Sequence, residues 1–433
     1  MKIKVKELSY EDVIKLPKGR HHNPVRPSMF FRWLIHSLSA GELKKVGFSY
    51  RSYGMEKLGK NEPCLILMNH SCFIDLKIAE TLMYPRPLNI VCTSDGLVGK
   101  EWLMRHIGCI PTNKFVTDVQ LVKDMRYALT KLKSSVLMYP EASYSFDGTA
   151  TPLPDSIGKC LRILNVPVIM IRTYGAFLRD PLYNNLQNRE VKVSADIKYL
   201  LSPSDIEERS AEELNDIIKG EFEFDNFKWQ QQNEIQVTED FRADYLNRVL
   251  YKCPDCMAEG KMEGRGVYLT CRGCGKKYRM NEYGQLQAED RRNLFTHIPD
   301  WYRWQREEIK KELLAGIYRM ELDVDIYMLV DLKQIYKVGS GVLLHDDKGF
   351  LLKGCDGKLE YRQSPNSSYS LYADYYWYEL GDMICIGDMK CQYYCFPKGE
   401  AGDVVAKARI ATEELYKQLK RRHACKNIGS AAV

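Results

Sequence analysis

The apolar run Leu65–Met68 breaks into Asn69-His70-Ser71, and Asp75 follows five residues after the histidine. An imidazole with a carboxylate on one ring nitrogen keeps a single tautomer and leaves its other nitrogen free to accept a proton. That is the arrangement of a general base. On a regular helix, residues five apart diverge by about 140°, so the pair can meet only if His70 lies in a strand-to-helix turn. Asp75 would then sit one helical turn beyond it. The competing reading is a core strand that ends at the surface, with Ser71 capping the next helix and Cys72 packing beneath it. A second set of chemistry-bearing residues is Cys253, Cys256, Cys271 and Cys274, two Cys-x-x-Cys pairs separated by fourteen residues. Two residues between cysteines let a tight turn aim both sulfurs at one ion. Two such turns complete a tetrahedral thiolate site for structural zinc, with no position left for substrate. Iron in a rubredoxin-like site, or redox-active thiols, remain as alternatives.

Bulk composition frames these sites. The chain has 433 residues, 45% of them hydrophobic and 28% charged, as in ordinary folded proteins. Its length suits two or three domains. No leading segment reads as a signal peptide and no apolar run approaches the ~18 residues that span a bilayer. The expectation is a cytoplasmic protein, peripheral to the inner face of the cell membrane, and its fourteen cysteines are expected to be reduced or metal-bound. The charge of +6 is unevenly placed, because residues 1–60 alone carry 13 Lys/Arg against 5 Asp/Glu. Within that basic part Phe30, Phe31, Trp33, Leu34 and Ile35 crowd beside Arg26 and Arg32, which suits an anionic membrane surface. An ordinary first helix packed on the core is the plainer alternative. The basic residues around the cysteines are too few to imply nucleic-acid binding.

Between residues 60 and about 200, "CLILMNH", "PLNIVCT", "SSVLMYP", "VPVIMIRTYG" and "EVKVSADIKYL" read as strands. "SDGLVGKEWLMRHIG" and "TDVQLVKDMRYALTKLKS" read as helices between them, an alternation that predicts an α/β architecture. Ser210 and Glu213 are spaced as a capping box for a further helix. Beyond the cysteines, "HIPDWYRWQREEIKKELLAG" predicts a helix. Short strands separated by "GSG", "DDKG", "GCDGK" and "SPNSS" then predict a β-rich domain, closed by a helix over "AGDVVAKARIATEELYKQLKRRH". The expected division is 1–250, 251–285 for the ribbon, 286–319 for a helical connector and 320–433 for a β-domain with a terminal helix, of pleckstrin-homology type or another small barrel, which periodicity does not separate. His106 and His345 have no partner visible in sequence and read as structural.

Four ordered blocks resemble the 1-acylglycerol-3-phosphate acyltransferase family of glycerolipid acyltransferases. Asn69, His70 and Asp75 match its Asn-His-x-x-x-x-Asp block. "GCIPTNK", with Gly108, Ile110 and Lys114, is similar to its second block. Tyr139-Pro-Glu141-Ala142-Ser143-Tyr144 stands where the family has Phe-Pro-Glu-Gly-Thr-Arg, and Val166–Ile169 match its apolar fourth block. Ala142 replaces the family glycine and Tyr144 the arginine, a natural bidentate ligand for an acceptor phosphate. The resemblance implies a mixed sheet with flanking helices. It also implies transfer of an acyl group from acyl-CoA or acyl carrier protein to a lysophospholipid hydroxyl, at a membrane surface. His70 would be the base oriented by Asp75, with Asn69, Lys114, Glu141 and Ser143 around the acceptor. The rival is a lipid-binding scaffold that has lost turnover.

Overall fold

A computed structural model describes residues 3–290, 292–399 and 404–430, with side chains of the last helix through Arg422. The first strand, β1 (Val5–Glu7), takes no part in the first sheet. β2 (Ser49–Tyr53), β3 (Leu65–Met68), β4 (Leu88–Thr93), β5 (Cys109–Thr112), β6 (Ser135–Met138), β7 (Val168–Tyr174) and β8 (Ser194–Leu201) make that seven-stranded sheet. Its order is β2-β8-β7-β3-β6-β4-β5, and only β7–β8 is antiparallel. The central β3 is buried at all four positions, as a strand covered on both faces must be. Its side chains alternate between two cores. Ile66 and Met68 join Ile74, Ile78 and Met83 of the helix Ile74–Met83. Leu65 and Leu67 join Met125 and Leu129 of the helix Val119–Thr130, with Leu161, Leu214 and Ile218 from two more helices. Each such side chain contributes about 1.5–3 kcal/mol by leaving water, which fixes β3 and therefore the point where Asn69 begins.

All five predicted strands of this region are present. The helix expected over residues 94–108 is broken into a short turn at Ser94–Leu97 and the helix Glu101–His106, with Gly99 between them at φ 73°. Strands β2 and β5 carry no strong apolar signal: β2 is exposed throughout and lies at the sheet edge.

β9 (Met262–Arg265), β10 (Tyr268–Cys271), β11 (Lys277–Met280) and β12 (Leu286–Ala288) form the small antiparallel sheet of the ribbon. The helix Ile298–Leu314 packs on it through Trp301, whose indole Nε1–H donates to Lys252 O at 2.9 Å. The remaining strands are β13 (Met320–Leu329), β14 (Ile335–Asp346), β15 (Gly349–Gly354), β16 (Leu359–Gln363), β17 (Tyr372–Trp377), β18 (Gly381–Gly387) and β19 (Gln392–Pro397). They are antiparallel in the order β16-β15-β14-β13-β19-β18-β17. β1 joins this sheet by parallel pairing of Val5–Glu7 with Ile335–Lys337, so the chain's first strand lies with its last domain. The terminal helix Val404–Ser430 buries Val405, Ala408, Ile410 and Ala411 in the shared core.

The β-rich domain lies against the part of the chain that holds the seven-stranded sheet. Tyr372 and Tyr394 both donate to Asp95 Oδ2, at 2.5 and 3.3 Å. Val98 and Phe115 share an apolar cluster with Trp377 and Met383. No helix among the described residues is long and apolar enough to cross a membrane.

Candidate functional site

Where β3 ends, Asn69 is held to the neighbouring strand: its side-chain Oδ1 accepts from Thr173 N at 2.8 Å. The chain then turns, and Asp75, in the first turn of the helix Ile74–Met83, gathers that turn around one carboxylate oxygen. Asp75 Oδ2 accepts from Ser71 N at 2.6 Å and Cys72 N at 3.0 Å, and lies 3.3 Å from His70 Nδ1. Its Oδ1 accepts from Thr173 Oγ1 at 3.4 Å. A helix start presents unpaired N–H groups and positive dipole, both suited to a carboxylate. The N-cap position is Phe73 and no side chain caps it, Ser71 included; Asp75 instead ties back the turn that leads into the helix. The same bonds that close the turn bring together two residues that a regular helix would separate.

The carboxylate faces Nδ1, so a proton held there leaves Nε2 of His70 as the basic nitrogen. Burial lowers the His70 pKa below its ordinary value, the Asp75 bond and charge oppose that, and the Lys114 charge adds to the lowering. The imidazole is consequently neutral at neutral pH, as a base must be. Tyr139 stacks on the His70 ring at a centroid distance of 4.0 Å, and Tyr144 lies at 4.4 Å, tilted by 54°. The Tyr139 hydroxyl is buried with no hydrogen-bond partner among the described residues.

Glu141 is used as a clamp. Its Oε2 accepts from His70 N at 2.9 Å, and its Oε1 from Thr151 N at 2.8 Å and Thr151 Oγ1 at 3.2 Å. Burial pushes the Glu141 carboxyl up to about 7 against the pull of these donors. Ala142, in the next position, has φ 56°, a left-handed conformation that costs a residue with a Cβ about 1–2 kcal/mol. Ser143 is buried and its hydroxyl donates to Tyr144 O at 3.4 Å.

Lys114 comes from the loop after β5. Gly108, which leads into β5, has φ 102°, and a Cβ there would lie 2.6 Å from Leu88 O, so only glycine permits this entry. Ile110 is buried in the sheet. The Lys114 ammonium sits 4.2 Å above the Tyr372 ring. Burial lowers its pKa, while Asp374 and Asp95 oppose the lowering. The Asp374 carboxyl is itself pushed up to about 7 by burial. Lys114 also lines a cavity of about 350 Å³ between its own loop and the C-terminal sheet, with Thr117, Gln363, Ser368, Ser370 and Gln392.

The sequence-derived residues thus fall into two groups. His70, Asp75, Glu141 and Asn69 form one bonded unit, and Lys114 approaches it from the adjoining loop. Residues supplied by the C-terminal part had no signal beside these motifs: Tyr372, Asp374 and Arg409. Arg409, on the terminal helix, lies with its guanidinium 4.4 Å from the Phe146 ring centre and its Nη1 3.5 Å from Tyr144 O.

The four ribbon cysteines converge as their spacing requires. All four sulfurs lie within 4.8 Å of one another, with Cys253–Cys274 at 3.8 Å and Cys256–Cys271 at 3.7 Å. Sulfurs at ~2.3 Å from a tetrahedral ion stand about 3.8 Å apart, whereas a disulfide needs ~2.05 Å. The donor set fits a metal such as zinc. His345 is fully buried, 2.9 Å by its Nδ1 from the Tyr318 hydroxyl, and burial lowers its pKa to about 3, the behaviour of a structural histidine.

Among solved structures, the chain is similar to the 1-acyl-sn-glycerophosphate (LPA) acyltransferase PlsC from Thermotoga maritima. The two are 17% identical, over 44% of this chain and 76% of that one, with a TM-score of 0.36. No curated protein matches the sequence. Residues 49–173, which hold His70, Asp75, Lys114 and Glu141, match the family model described as Acyltransferase.

Proposed function

We propose that this protein transfers a fatty acyl group from a thioester, acyl-CoA or acyl carrier protein, to the hydroxyl of a lysophospholipid, 1-acylglycerol-3-phosphate foremost. The observation that carries the reading is the 3.3 Å approach of Asp75 Oδ2 to His70 Nδ1 within the segment that matches the acyltransferase model. His70 Nε2 takes the proton of the acceptor hydroxyl as its oxygen attacks the thioester carbonyl. The C–S bond breaks, and the proton passes from His70 to the leaving thiolate. Asp75 holds the tautomer and stabilises the imidazolium that forms. Glu141 and Asn69 position the turn, while Lys114 and Ser143 lie on the acceptor side. Zinc in the ribbon is structural and takes no part in the steps.

The protein works at the cytoplasmic face of a membrane. Met29, Phe30, Trp33 and Leu38 are more than half exposed on the helix Met29–Lys45, and Trp102 joins them through Phe31. A pleckstrin-homology-like terminal domain accords with seven antiparallel strands and a helix after them. No nucleic-acid partner is expected.

Labelled acyl-CoA incubated with a panel of lysophospholipids, comparing wild type with His70→Ala, tests the proposal. Wild type forms acylated product and the variant, folded, forms none. Undiminished turnover in His70→Ala would end the mechanism. A second reading has its own observation: Tyr139, Tyr144 and the C-terminal domain close around His70 and Lys114, as in a lipid-binding scaffold without turnover. Lipid binding with no product from either donor would favour it.

A further inference from the structure

A thioester carbonyl attacked beside His70 must place negative charge on its oxygen, and a hydrogen-bond donor has to meet that charge. The donors closest in sequence to the histidine are already engaged. His70 N is bonded to Glu141 Oε2 at 2.9 Å, and Ser71 N and Cys72 N to Asp75 Oδ2 at 2.6 and 3.0 Å. Asn69 Nδ2 donates to Ser71 Oγ at 3.5 Å, and the Ser143 hydroxyl to Tyr144 O at 3.4 Å. The Lys114 ammonium is held over the Tyr372 ring, where Asp374 and Asp95 act on it. Two tyrosines lie against the imidazole, in the block where the resembled family has phenylalanine and arginine: Tyr139 at 4.0 Å and Tyr144 at 4.4 Å between ring centres. Their hydroxyls differ. That of Tyr139 is buried without a partner, whereas Tyr144 is half-buried and its hydroxyl makes no hydrogen bond among the described residues. Burial, followed by Cys72, Asp75, Asp374 and Asp180, raises the Tyr144 pKa well above the usual phenol range. The hydroxyl therefore keeps its proton and stays a donor.

We infer that Tyr144 is a catalytic residue whose hydroxyl donates to the thioester carbonyl oxygen as that oxygen becomes an oxyanion. The inference deepens the acyl-transfer reading and rests on it. His70 Nε2 takes the acceptor's proton while the acceptor oxygen forms its bond to the carbonyl carbon. The carbonyl π pair moves onto its oxygen, and the hydrogen bond from Tyr144 strengthens as that charge grows. Collapse restores the C=O bond and breaks the C–S bond, and the thiolate leaves with the proton held by His70. The reacting carbon has to stand within bonding reach of an oxygen that is itself hydrogen-bonded to His70. A donor for the carbonyl oxygen must accordingly lie beside the imidazole, as Tyr144 does. The carboxylates of Asp75 and Glu141 would repel that charge instead. A neutral phenol has a further advantage, since it gains most when charge develops and so favours the transition state over bound substrate.

Tyr144→Phe removes the hydroxyl and keeps the ring beside His70, and its melting temperature is read alongside to establish the fold. In the full-length protein kcat should fall by about 10²–10³, the usual cost of one oxyanion donor, while KM for donor and acceptor changes by less than about threefold. The loss should be the same with 1-acylglycerol-3-phosphate and with lysophosphatidylcholine, because the carbonyl belongs to the donor. A loss confined to one acceptor, or carried by KM, would overturn the inference and give the hydroxyl to the acceptor's headgroup. The second arm reads binding without turnover. Hexadecyl-CoA, a thioether, has no carbonyl, whereas the difluoromethylene ketone analogue of palmitoyl-CoA hydrates to a tetrahedral carbon. Calorimetry should show wild type preferring the ketone by about tenfold or more, and Tyr144→Phe losing that preference with its thioether affinity kept. An unchanged preference in the variant, or a full kcat, would sink the inference and leave acyl transfer standing for as long as His70→Ala is inactive. A wild type that forms no product with either donor ends the acyl-transfer reading itself, and this inference with it.

Discussion

His70 and Asp75 share a turn whose geometry is set by one carboxylate oxygen. Asp75 Oδ2 meets two backbone N–H groups as well as the ring. Replacing it with an amide of the same shape turns either a donor or a weaker acceptor toward those groups. Asp75→Asn should lower kcat by on the order of 10²–10³ with KM nearly unchanged, measured under saturating donor. An unaltered kcat would remove Asp75 from the mechanism. The pH profile belongs to the same scale. Three groups of the site titrate on the acid side: Glu141 and Asp374, each pushed up to about 7 by burial, and His70, lowered below 6.5 for the same reason. Glu141 and His70 lose their working form as pH falls, since His70 must be neutral to accept a proton and Glu141 must be ionised to hold two N–H groups. Glu141→Gln combined with Asp374→Asn removes the titrations near 7, so the break in log kcat/KM that remains should lie below pH 6.5. A break persisting near 7 in that double variant would contradict this assignment. Stability follows the same sign for His70: its folded pKa is depressed, so the unfolded state takes up protons first and stability falls as pH drops below 6.5.

At the scale of elements, the zinc proposed for the four convergent cysteines would add to what the ribbon's core supplies. Leu269, Tyr278, Met280 and Met262 bury their side chains against the rest of the chain, but four short strands alone hold little. Structural zinc contributes about 10–16 kcal/mol to small sites of this type, comparable with the whole stability of a domain. The purified protein should carry about one zinc per chain by elemental analysis. Cys271→Ser should lose it together with protection of the ribbon's amides from hydrogen exchange. Full zinc content in that variant would show that Cys271 is not a ligand. The strained turn after Glu141 offers a milder case. Ala142 holds a left-handed φ of 56°, and Ala142→Gly removes the Cβ that makes this unfavourable. Denaturant unfolding should show a gain of about 0.5–1 kcal/mol, the relief outweighing the entropy that glycine adds to the unfolded chain.

For the whole molecule, the helix Met29–Lys45 exposes an aromatic face within the basic residues 1–60, the combination that the proposed membrane contact needs. An apolar face rimmed by cations binds anionic bilayers through burial and electrostatic attraction, neither of which is enough alone. Co-sedimentation with vesicles containing phosphatidylserine should retain the wild type and lose Trp33→Glu. Added salt should weaken binding, and neutral vesicles should retain less. Equal retention of Trp33→Glu would remove this helix as the proposed membrane contact. At this scale the site is also a joint product of distant segments: residues 70–75 and 139–144 supply the bonded centre, and the C-terminal domain closes over it.

Local interactions explain what was legible in advance. β3, β6 and most of β7 announce themselves because strands covered on both faces must be apolar, β4 by its apolar start and β8 by its alternation, and the Cys-x-x-Cys spacing brings four sulfurs together by turn geometry. The motif of Asn69, His70 and Asp75 was visible too, but its meeting depended on the turn that Asp75 itself closes. Nothing in the sequence foretold that Val5–Glu7 would add to the terminal sheet, because strand pairing is set by which edge is free and not by the residues that fill it. The helix expected across residues 94–108 failed at Gly99, where the chain turns so that Asp95 can meet Tyr372 and Tyr394. Arg409 lies 265 residues from Tyr144, beyond the reach of any spacing rule. By itself the sequence determined the five apolar strands of the first sheet, the histidine with its carboxylate and the cysteine cluster, since each rests on short-range chemistry. Only the tertiary structure decided which charges face His70, because a domain interface forms from surfaces whose complementarity appears after each part has folded.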